Sequence, residues 1–257
     1  MGKTIAVFNQ KGGVGKTTTA VNLAASLAIK NKRVLIADID PQGNATGGLG
    51  INKSKLENSI YTLLMGNEAS SEEILCGTQL KMLDVLPSNT DLAGAEVELV
   101  SMADRNLCLK KALAQFKDSY DYIFIDCPPT LGLLSLNALA AADSVLIPIQ
   151  CEYYALEGVN DLVNTIKLVR NSVNKNLTIQ GIVLSMYDGR TNLSIQVVEE
   201  VKKFFKDKVY TSIIPRNIRL AEAPGYGLPA VLYDPRSRGT EAYMELAEEF
   251  LELEGEL

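Results

Sequence analysis

Residues 3–20 read KTIAVFNQKGGVGKTTTA, and this stretch decides the fold. The apolar run 5–8 predicts a short strand, the glycines at 12, 13 and 15 predict a tight loop, and the residues from Thr17 onward predict a helix. A glycine loop between a strand and a helix turns backbone N–H groups toward a polyphosphate. The sequence therefore predicts a phosphate-binding loop over residues 11–18.

Two side chains in this loop add chemistry to the backbone. Lys16 is placed to reach the β- and γ-phosphates, and the hydroxyl of Thr17 is placed to bind Mg²⁺ at the positive end of the helix. The pattern departs from the ordinary G-x-x-x-x-G-K-[ST] loop, because Gln10 replaces the first glycine and a second lysine, Lys11, stands at the loop entrance. We predict a nucleotide contact set of Lys11, Gly12, Gly13, Val14, Gly15, Lys16, Thr17 and Thr18.

Short β-branched runs alternate with longer amphipathic stretches along the whole chain. Strands are predicted at residues 3–9, 33–39, 82–86, 122–126, 144–149, 180–186 and 209–214. Helices are predicted at residues 17–30, 54–65, 93–117, 133–141, 156–171, 194–205 and 240–253. Because several strands are apolar almost throughout, we expect an α/β doubly wound, mainly parallel sheet with helices on both faces. With no linker or repeat in the sequence, residues 1–257 are predicted to form a single domain.

Two later strands end in aspartates where such a sheet places its ligand. The first run continues as Asp38-Ile-Asp40-Pro-Gln-Gly, and we predict that Asp40 orients the attacking water and helps to hold the magnesium shell. The second, YIFID, ends at Asp126, which is predicted to bind Mg²⁺ directly or through water. An aspartate after a strand often only caps a turn, but two of them downstream of a glycine loop favour the functional interpretation.

Composition excludes several classes of chemistry. The 257 residues contain no histidine, which excludes Ser-His-Asp and Cys-His catalysis and imidazole zinc sites. Four scattered cysteines predict buried free thiols in a reducing cytoplasm. Neither a signal-peptide pattern nor about 18 consecutive apolar residues is found, so we expect a cytoplasmic protein without a membrane span.

The motifs KGGVGKTT, DIDPQGN and DCPP together resemble the deviant-Walker-A ATPases, which include ParA, MinD and the nitrogenase iron protein. The segments QCEYYALEG (150–158), GRTN (189–192), IPRNIRLAEAP (214–224) and LYDPRSRG (232–239) resemble the chromosomal ParA/Soj branch. The similarity runs from residue 3 to about 245. It implies ATP and Mg²⁺ as ligands, an ATP-dependent homodimer in which Lys11 crosses to the partner's phosphates, and adenine contacts at Pro215 and Asn217. Slow intrinsic ATP hydrolysis follows, because Lys11 requires the second protomer.

The net charge of −6 hides a basic stretch, since residues 186–238 carry nine Lys/Arg against six Asp/Glu. The ParA/Soj resemblance implies non-specific binding of double-stranded DNA by the ATP dimer, association with the nucleoid, and partitioning of chromosomal origins with a ParB-like partner. The predicted DNA contacts are Arg190, Lys202, Lys203, Arg216 and Arg219. For the lysines a solvated helix face is an equally good interpretation.

Other functions remain open on the same core. A MinD-like membrane-positioning ATPase is the main alternative, although the C-terminal segment is rich in glutamate, and Leu246, Phe250, Leu251 and Leu253 are expected to pack on the domain. A metabolic ligase would place a small acceptor where a dimer partner otherwise sits. A cluster-bridging reductase is excluded, because the glycine-rich cysteine loop it needs is absent and Cys127 is expected to be structural.

Overall fold

In a computed structural model that describes residues 2–66, 70–152 and 155–256, seven strands form one sheet. They are β1 (Lys3–Val7), β2 (Val34–Asp38), β3 (Cys76–Gly77), β4 (Leu83–Leu86), β5 (Tyr122–Asp126), β6 (Ser144–Gln150) and β7 (Thr178–Ser185). The order across the sheet is β3-β4-β2-β5-β1-β6-β7. Every neighbouring pair is parallel except β3 and β4, which are antiparallel.

Helices connect these strands. The α-helices of the described residues are α1 (Lys16–Ile29), α2 (Asn44–Gly48), α3 (Ile60–Leu64), α4 (Ser71–Ile74), α5 (Leu92–Glu98), α6 (Cys108–Ala114), α7 (Leu133–Ala141), α8 (Ala155–Ser172), α9 (Asn192–Phe205), α10 (Ile218–Glu222), α11 (Ala230–Tyr233) and α12 (Arg238–Leu253). Short 3₁₀ turns occupy Lys53–Lys55, Leu99–Ser101, Lys206–Lys208 and Ala223–Tyr226. None of the described helices is both long enough and apolar enough to cross a bilayer.

The central strands bury side chains on both faces of the sheet. Successive residues of a strand point to opposite faces, so Ile5 and Phe124 lie in one core while Ala6 and Ile125 lie in the other. Helices α1 and α12 cover the first face, and α6, α7 and α8 contribute to the core on the second. The predicted doubly wound, mainly parallel α/β fold is confirmed.

The predicted strand at 209–214 is wrong. Isolated bridges at Val209 and at Pro215, just beyond the stretch, join it to β7 with hydrogen bonds from Tyr210 N to Ile182 O (3.0 Å) and from Ile214 N to Leu184 O (2.8 Å), but no continuous ladder forms. The interruption has a specific cause, because the carboxylate of Glu249 on α12 accepts the N–H groups of Thr211 (2.7 Å) and Ser212 (2.9 Å). These donors are therefore not available to a continuous ladder.

Two predicted helices are also broken. The stretch 93–117 contains α5, a 3₁₀ turn and α6, and buried Asn137 satisfies the backbone at the break by donating to Arg105 O (2.7 Å) and accepting from Leu109 N (3.1 Å). The stretch 54–65 contains the end of the 3₁₀ turn Lys53–Lys55 and then only the short helix α3. This helix begins at Ile60, because the hydroxyl of Ser59 caps it by accepting from Tyr61 N.

The C-terminal helix packs largely as expected. Leu246, Phe250 and Leu251 are fully buried against α1 and the sheet, but Leu253 is 64% exposed, contrary to the prediction. Three cysteines are buried and Cys76 is half-buried, and all four are free thiols. Of the segment 150–158 used for the family resemblance, Tyr153 and Tyr154 lie outside the described residues.

Candidate functional site

The carboxyl ends of three adjacent strands bring the glycine loop and the two acidic motifs together. In register, Val7 at the end of β1 pairs with Asp126 at the end of β5, and Asp126 pairs with Asp38 at the end of β2. The loop of residues 9–15 follows β1 directly, so it lies beside both carboxylates. Parallel strands meet at one edge, and this edge is the expected ligand position of a doubly wound sheet.

The glycine loop has the backbone conformation that a phosphate cradle requires. Gly13 (φ +76°) and Gly15 (φ +91°) are in the left-handed region, which other residues adopt only at a cost. Gly15 is the N-cap of α1, and no side chain caps the first N–H groups of this helix. These donors and the positive end of the helix dipole therefore face the loop.

Lys16 is the first residue of α1, directly after this loop, and it is 7% exposed. Its Nζ donates to the carbonyl oxygen of Lys11 at 3.0 Å, which closes the loop on itself. The main-chain N–H of Lys11 in turn donates to Asn9 Oδ1 at 3.0 Å. Burial lowers the pKa of Lys16, and the nearby carboxylates of Asp126 and Asp40 act against that shift.

Asp126 is fully buried, and neither of its carboxylate oxygens has a hydrogen-bond partner among the described residues. Burial and the neighbouring Asp38 raise the pKa of Asp126 well above its ordinary value, although the hydroxyl of Thr17 and the ammonium of Lys16 act to lower it. An orphaned buried carboxylate is costly unless a cation balances it. The oxygens of Asp126 and Thr17 suit a hard cation such as Mg²⁺.

No described group of three or more His, Cys, Asp or Glu side chains is placed to hold a metal ion by itself. A divalent cation here would need further ligands from phosphate or water, which is the usual arrangement for Mg²⁺.

Asp38 and Asp40 have different environments. Asp38 is fully buried, and burial raises its pKa to about 6 despite hydrogen bonds from Thr46 and from the N–H of Asp40. Asp40 lies beyond the end of β2 in a turn, where its Oδ1 accepts from Gln42 N at 2.9 Å. Asp38 is thus the last residue of β2, and Asp40 belongs to the loop that follows it.

Pro215 and Asn217 lie in the loop next to the end of β7. Pro215 forms an isolated bridge with Tyr187, two residues after Ser185. The hydroxyl of Ser185 donates to Val14 O at 2.8 Å, which connects this region to the glycine loop. Asn217 caps α10 by accepting from Arg219 N at 2.8 Å. Whether either residue contacts an adenine remains a prediction.

The predicted DNA-contact residues fall into two groups. Arg190 and Arg216 both lower the pKa of Asp188, to about 2, with Arg190 the larger cause. Each predicted arginine has an acidic partner: Arg190 pairs with Asp188, Arg216 with Glu152, and Arg219 with Glu222 and Asp234.

The predicted lysines lie elsewhere. Lys202 and Lys203 occupy the last turns of α9, roughly 15 Å along the axis from its first residue at 1.5 Å per residue. Lys202 lines a groove with Lys3 and Thr178, which begin β1 and β7, so it faces the amino end of the sheet. Lys203 pairs with Glu200 at 3.7 Å, and the neighbouring Phe204 is 51% exposed. The five residues do not form one patch.

Sequence reasoning missed three polar residues that support the site. Ser185 holds the loop as described, while Thr46 and Ser88 hydrogen-bond beneath the Asp40 turn. The only sequence signal is that Ser88 and Ser185 stand at or just after the carboxyl ends of β4 and β7. Their partners lie 42 to 171 residues away, beyond any local pattern.

Comparisons with known proteins agree with this geometry. The family model for AAA domains matches residues 2–179. The sporulation initiation inhibitor protein Soj of Bacillus subtilis (strain 168) is 59% identical over 249 residues, which are 97% of this chain and 98% of Soj. The chromosome partitioning protein ParA of Myxococcus xanthus (strain DK1622) is 54% identical over 98% of this chain and 88% of its own length. The chain belongs to the ParA/Soj family.

Solved structures share the ParA/Soj fold. Cobyrinic acid a,c-diamide synthase from Mycobacterium smegmatis, solved with bound ADP and magnesium, superimposes with a TM-score of 0.84 at 38% identity, over 96% of this chain and 93% of the synthase chain. The septum site-determining protein MinD of Pyrococcus horikoshii OT3, complexed with Mg-ADP, superimposes with a TM-score of 0.81 at 29% identity, over 99% of this chain and 98% of the MinD chain.

Proposed function

We propose that this ParA/Soj-family chain is a single P-loop domain over residues 1–257 that binds ATP with Mg²⁺ and hydrolyses it to ADP and phosphate. The observation that carries the proposal is the orphaned carboxylate of Asp126, fully buried next to the glycine loop and the buried ammonium of Lys16. A buried carboxylate without a hydrogen-bond partner, beside a loop that can bind phosphate, is the arrangement expected where a cation binds together with a polyphosphate.

Each residue of the site has a proposed role. The loop N–H groups from Gly12 to Thr18 and the ammonium of Lys16 hold the phosphates, while Thr17, Asp40 and Asp126 hold Mg²⁺. When bound, Mg²⁺ neutralises charge on the β- and γ-phosphate oxygens. Asp40 orients the attacking water from its turn at the edge of the site. Catalysis in this scheme depends on positioning and charge, which suits a chain without histidine.

ATP is further proposed to join two copies of the chain. Lys11 would reach the phosphates of the nucleotide bound by the partner, so only the triphosphate state favours the dimer. The main chain of Lys11 is fixed on both sides, by Asn9 at its N–H and by Lys16 at its carbonyl. Because Lys11 acts across the interface, we expect slow turnover by the chain alone and faster turnover with a ParB-like partner.

In the cell we propose a cytoplasmic, nucleoid-associated ATPase that partitions chromosomal origins and binds duplex DNA without sequence preference. The high identity to Soj and ParA over nearly the full chain supports this proposal. Arg190, Arg216 and Arg219 are the DNA contacts that we propose, since they belong to the segments that follow the carboxyl end of β7 and bridge to each other at Tyr187 and Pro215, whereas Lys202 and Lys203 lie toward the other end of α9. Phosphate contacts of this kind weaken steeply with salt.

Light scattering with ATP, ADP and no nucleotide, followed by a gel shift on duplexes of unrelated sequence, tests the proposal. We expect dimers and DNA retardation only with ATP, and both lost in Asp126→Ala. Nucleotide-independent or salt-insensitive retardation would contradict it. Phosphate release without any added acceptor would separate an ATPase from a ligase like the synthase that shares the fold.

The MinD-like membrane alternative has less support in the structure. The apolar residues of α12 that could enter a bilayer are mostly buried, with Leu246, Phe250 and Leu251 at 0–1% exposure. The same helix carries glutamates, which anionic lipid would repel. Co-sedimentation with anionic liposomes in the presence of ATP is the direct measurement, and we expect the protein to stay in the supernatant.

A further inference from the structure

A buried hydrogen-bond network lies beneath the Asp40 turn. Ser88 follows the end of β4 and is fully buried. Its hydroxyl donates to the carbonyl oxygen of Asp40 at 2.7 Å, and its main-chain N–H donates to Thr46 Oγ1 at 2.9 Å. Ser88 therefore connects the carboxyl end of β4 to the loop that follows β2.

Thr46 and Asp38 close this network into a ring. Both the hydroxyl and the N–H of Thr46 donate to Asp38 Oδ2, at 2.7 and 2.8 Å. The N–H of Asp40 donates to Asp38 Oδ1 at 3.2 Å. The peptide groups of Asp40 are thus held at the N–H by Asp38 and at the carbonyl by Ser88, and Thr46 joins the two holders.

The direction of the Asp40 carboxylate depends on this main chain. Its Oδ1 accepts from Gln42 N within the same turn, so the side chain moves with the turn. The carbonyl oxygen of Asp40 also accepts from Gly43 N at 2.8 Å, so it would not be left orphaned without Ser88. What the Ser88 hydroxyl adds is a fixed connection between the turn and a neighbouring strand.

We propose that Ser88 is a positioning residue for ATP hydrolysis, which acts by fixing the main chain of Asp40 so that its carboxylate meets the attacking water. This inference rests on the proposed role of Asp40. Small displacements of a catalytic group reduce rate far more than they reduce binding, because the reacting geometry is narrow. Ser88 touches neither phosphate nor metal in this scheme.

The test compares Ser88→Ala, Asp40→Ala and the double variant by single-turnover hydrolysis of ATP, with nucleotide affinity measured separately by a fluorescent ATP analogue. We expect Ser88→Ala to lower the hydrolysis rate roughly 10- to 100-fold. Its affinity for the analogue should stay within about twofold of wild type, since the loop N–H groups and Lys16 are untouched. In the Asp40→Ala background the second substitution should change the residual rate by less than about twofold.

Ser26→Ala is the matched control. Ser26 is 1% exposed and its hydroxyl also donates to a main-chain carbonyl, Asn22 O, at 2.8 Å, but it lies in α1 away from the Asp40 turn. We expect its hydrolysis rate to equal that of wild type. A similar loss in both serine variants would mean that deleting a buried hydroxyl is merely destabilising, and would overturn the inference.

Three other results would also overturn it. These are an unchanged rate in Ser88→Ala, an affinity loss as large as the rate loss, or a further fall when Ser88→Ala is added to Asp40→Ala. If Asp40→Ala alone hydrolyses ATP normally, the proposed role of Asp40 fails first and the role of Ser88 fails with it. Because Ser88 is intact in Asp40→Ala, that variant by itself shows whether the proposed role of Asp40 has failed, independently of any result for Ser88→Ala.

Discussion

Replacing Asp126 by asparagine should stabilise the ligand-free protein while removing its response to Mg²⁺ and ATP. The reason is the cost of a buried carboxylate without partners. Asp38 gives the scale, because it is equally buried and its pKa is raised to about 6 even though it accepts three hydrogen bonds. Against an unfolded-state value of about 3.9, a shift of about 2 units is worth ~3 kcal/mol.

Neither carboxylate oxygen of Asp126 has a hydrogen-bond partner at ordinary distance among the described residues, and burial raises the pKa of Asp126 although the Thr17 hydroxyl acts to lower it, so its ionised form is penalised in the same direction. Burying an unpartnered amide in its place costs about 1–3 kcal/mol. With Asp38 as the scale, Asp126→Asn is therefore expected to stabilise the ligand-free protein by at most ~2 kcal/mol, or roughly 4–8 °C in the melting temperature of a chain of this size.

The pH dependence has a definite sign. A carboxyl whose folded-state pKa is raised binds more protons in the native state than in the unfolded state, so wild-type stability falls as the pH rises above about 4. The cost is fully present above the folded-state pKa. The advantage of the asparagine variant should therefore be smaller at pH 5 than at pH 8.

Thermal unfolding at pH 5 and pH 8, without ligand and with Mg²⁺ and ATP, measures both effects. Saturating ligand at 100 times its Kd should stabilise wild type by about 2.7 kcal/mol and the variant hardly at all, which reverses their order. Asp121→Asn is the control, because Arg33 lowers the pKa of Asp121, and its replacement should be neutral or slightly destabilising. A lower melting temperature for ligand-free Asp126→Asn at pH 8 would refute the reasoning.

Three further variants test other parts of the structure. Lys16→Ala should weaken ATP binding roughly 10- to 100-fold in a fluorescence titration, because a charge-assisted contact to phosphate is lost, and unchanged affinity would remove Lys16 from the site. Gly227→Ala should cost ~2–4 kcal/mol in urea unfolding, since φ is +68° and the new Cβ would lie 2.6 Å from Gly50 Cα, whereas Gly225→Ala, with open space around its Cβ, should cost under about 1 kcal/mol. Arg216→Ala should reduce the slope of log affinity for duplex DNA against log salt by about 1 in anisotropy titrations of the ATP-bound protein, and an unchanged slope would argue against a phosphate contact.

The sequence predicts well those structural features that are determined by residues close together in the chain. The glycine loop needs left-handed residues at fixed spacing, and Gly13 and Gly15 supply them where the pattern places them. The strands that end at Asp38 and Asp126 are apolar almost throughout because helices cover both faces of the sheet. The composition of these runs therefore already indicates buried parallel strands.

The errors have causes that are distant in the chain. The stretch 209–214 has the composition of a strand, but Glu249, 37 and 38 residues away, takes two of its N–H groups. The helical pattern at 93–117 is interrupted where Asn137 binds the backbone. Ser88 is missed for the same reason, since its partner Asp40 is 48 residues away. In each case the deciding side chain belongs to another element, at a separation along the chain that no local pattern covers.

The charges at the carboxyl edge of the sheet argue that metal and nucleotide bind together. Asp38, Asp40 and Asp126 place three buried carboxyl groups at this edge and Lys16 a single buried ammonium, so the carboxylates, when ionised, exceed the positive charge of the side chain beside them. At the same edge α1 begins without a side-chain cap and without an acidic residue in its first turn, so its positive end is also unbalanced. A triphosphate alone would satisfy Lys16 and α1 but face Asp126, and a cation alone would satisfy Asp126 but face Lys16. Only the pair balances both, so we expect each ligand to bind more tightly in the presence of the other.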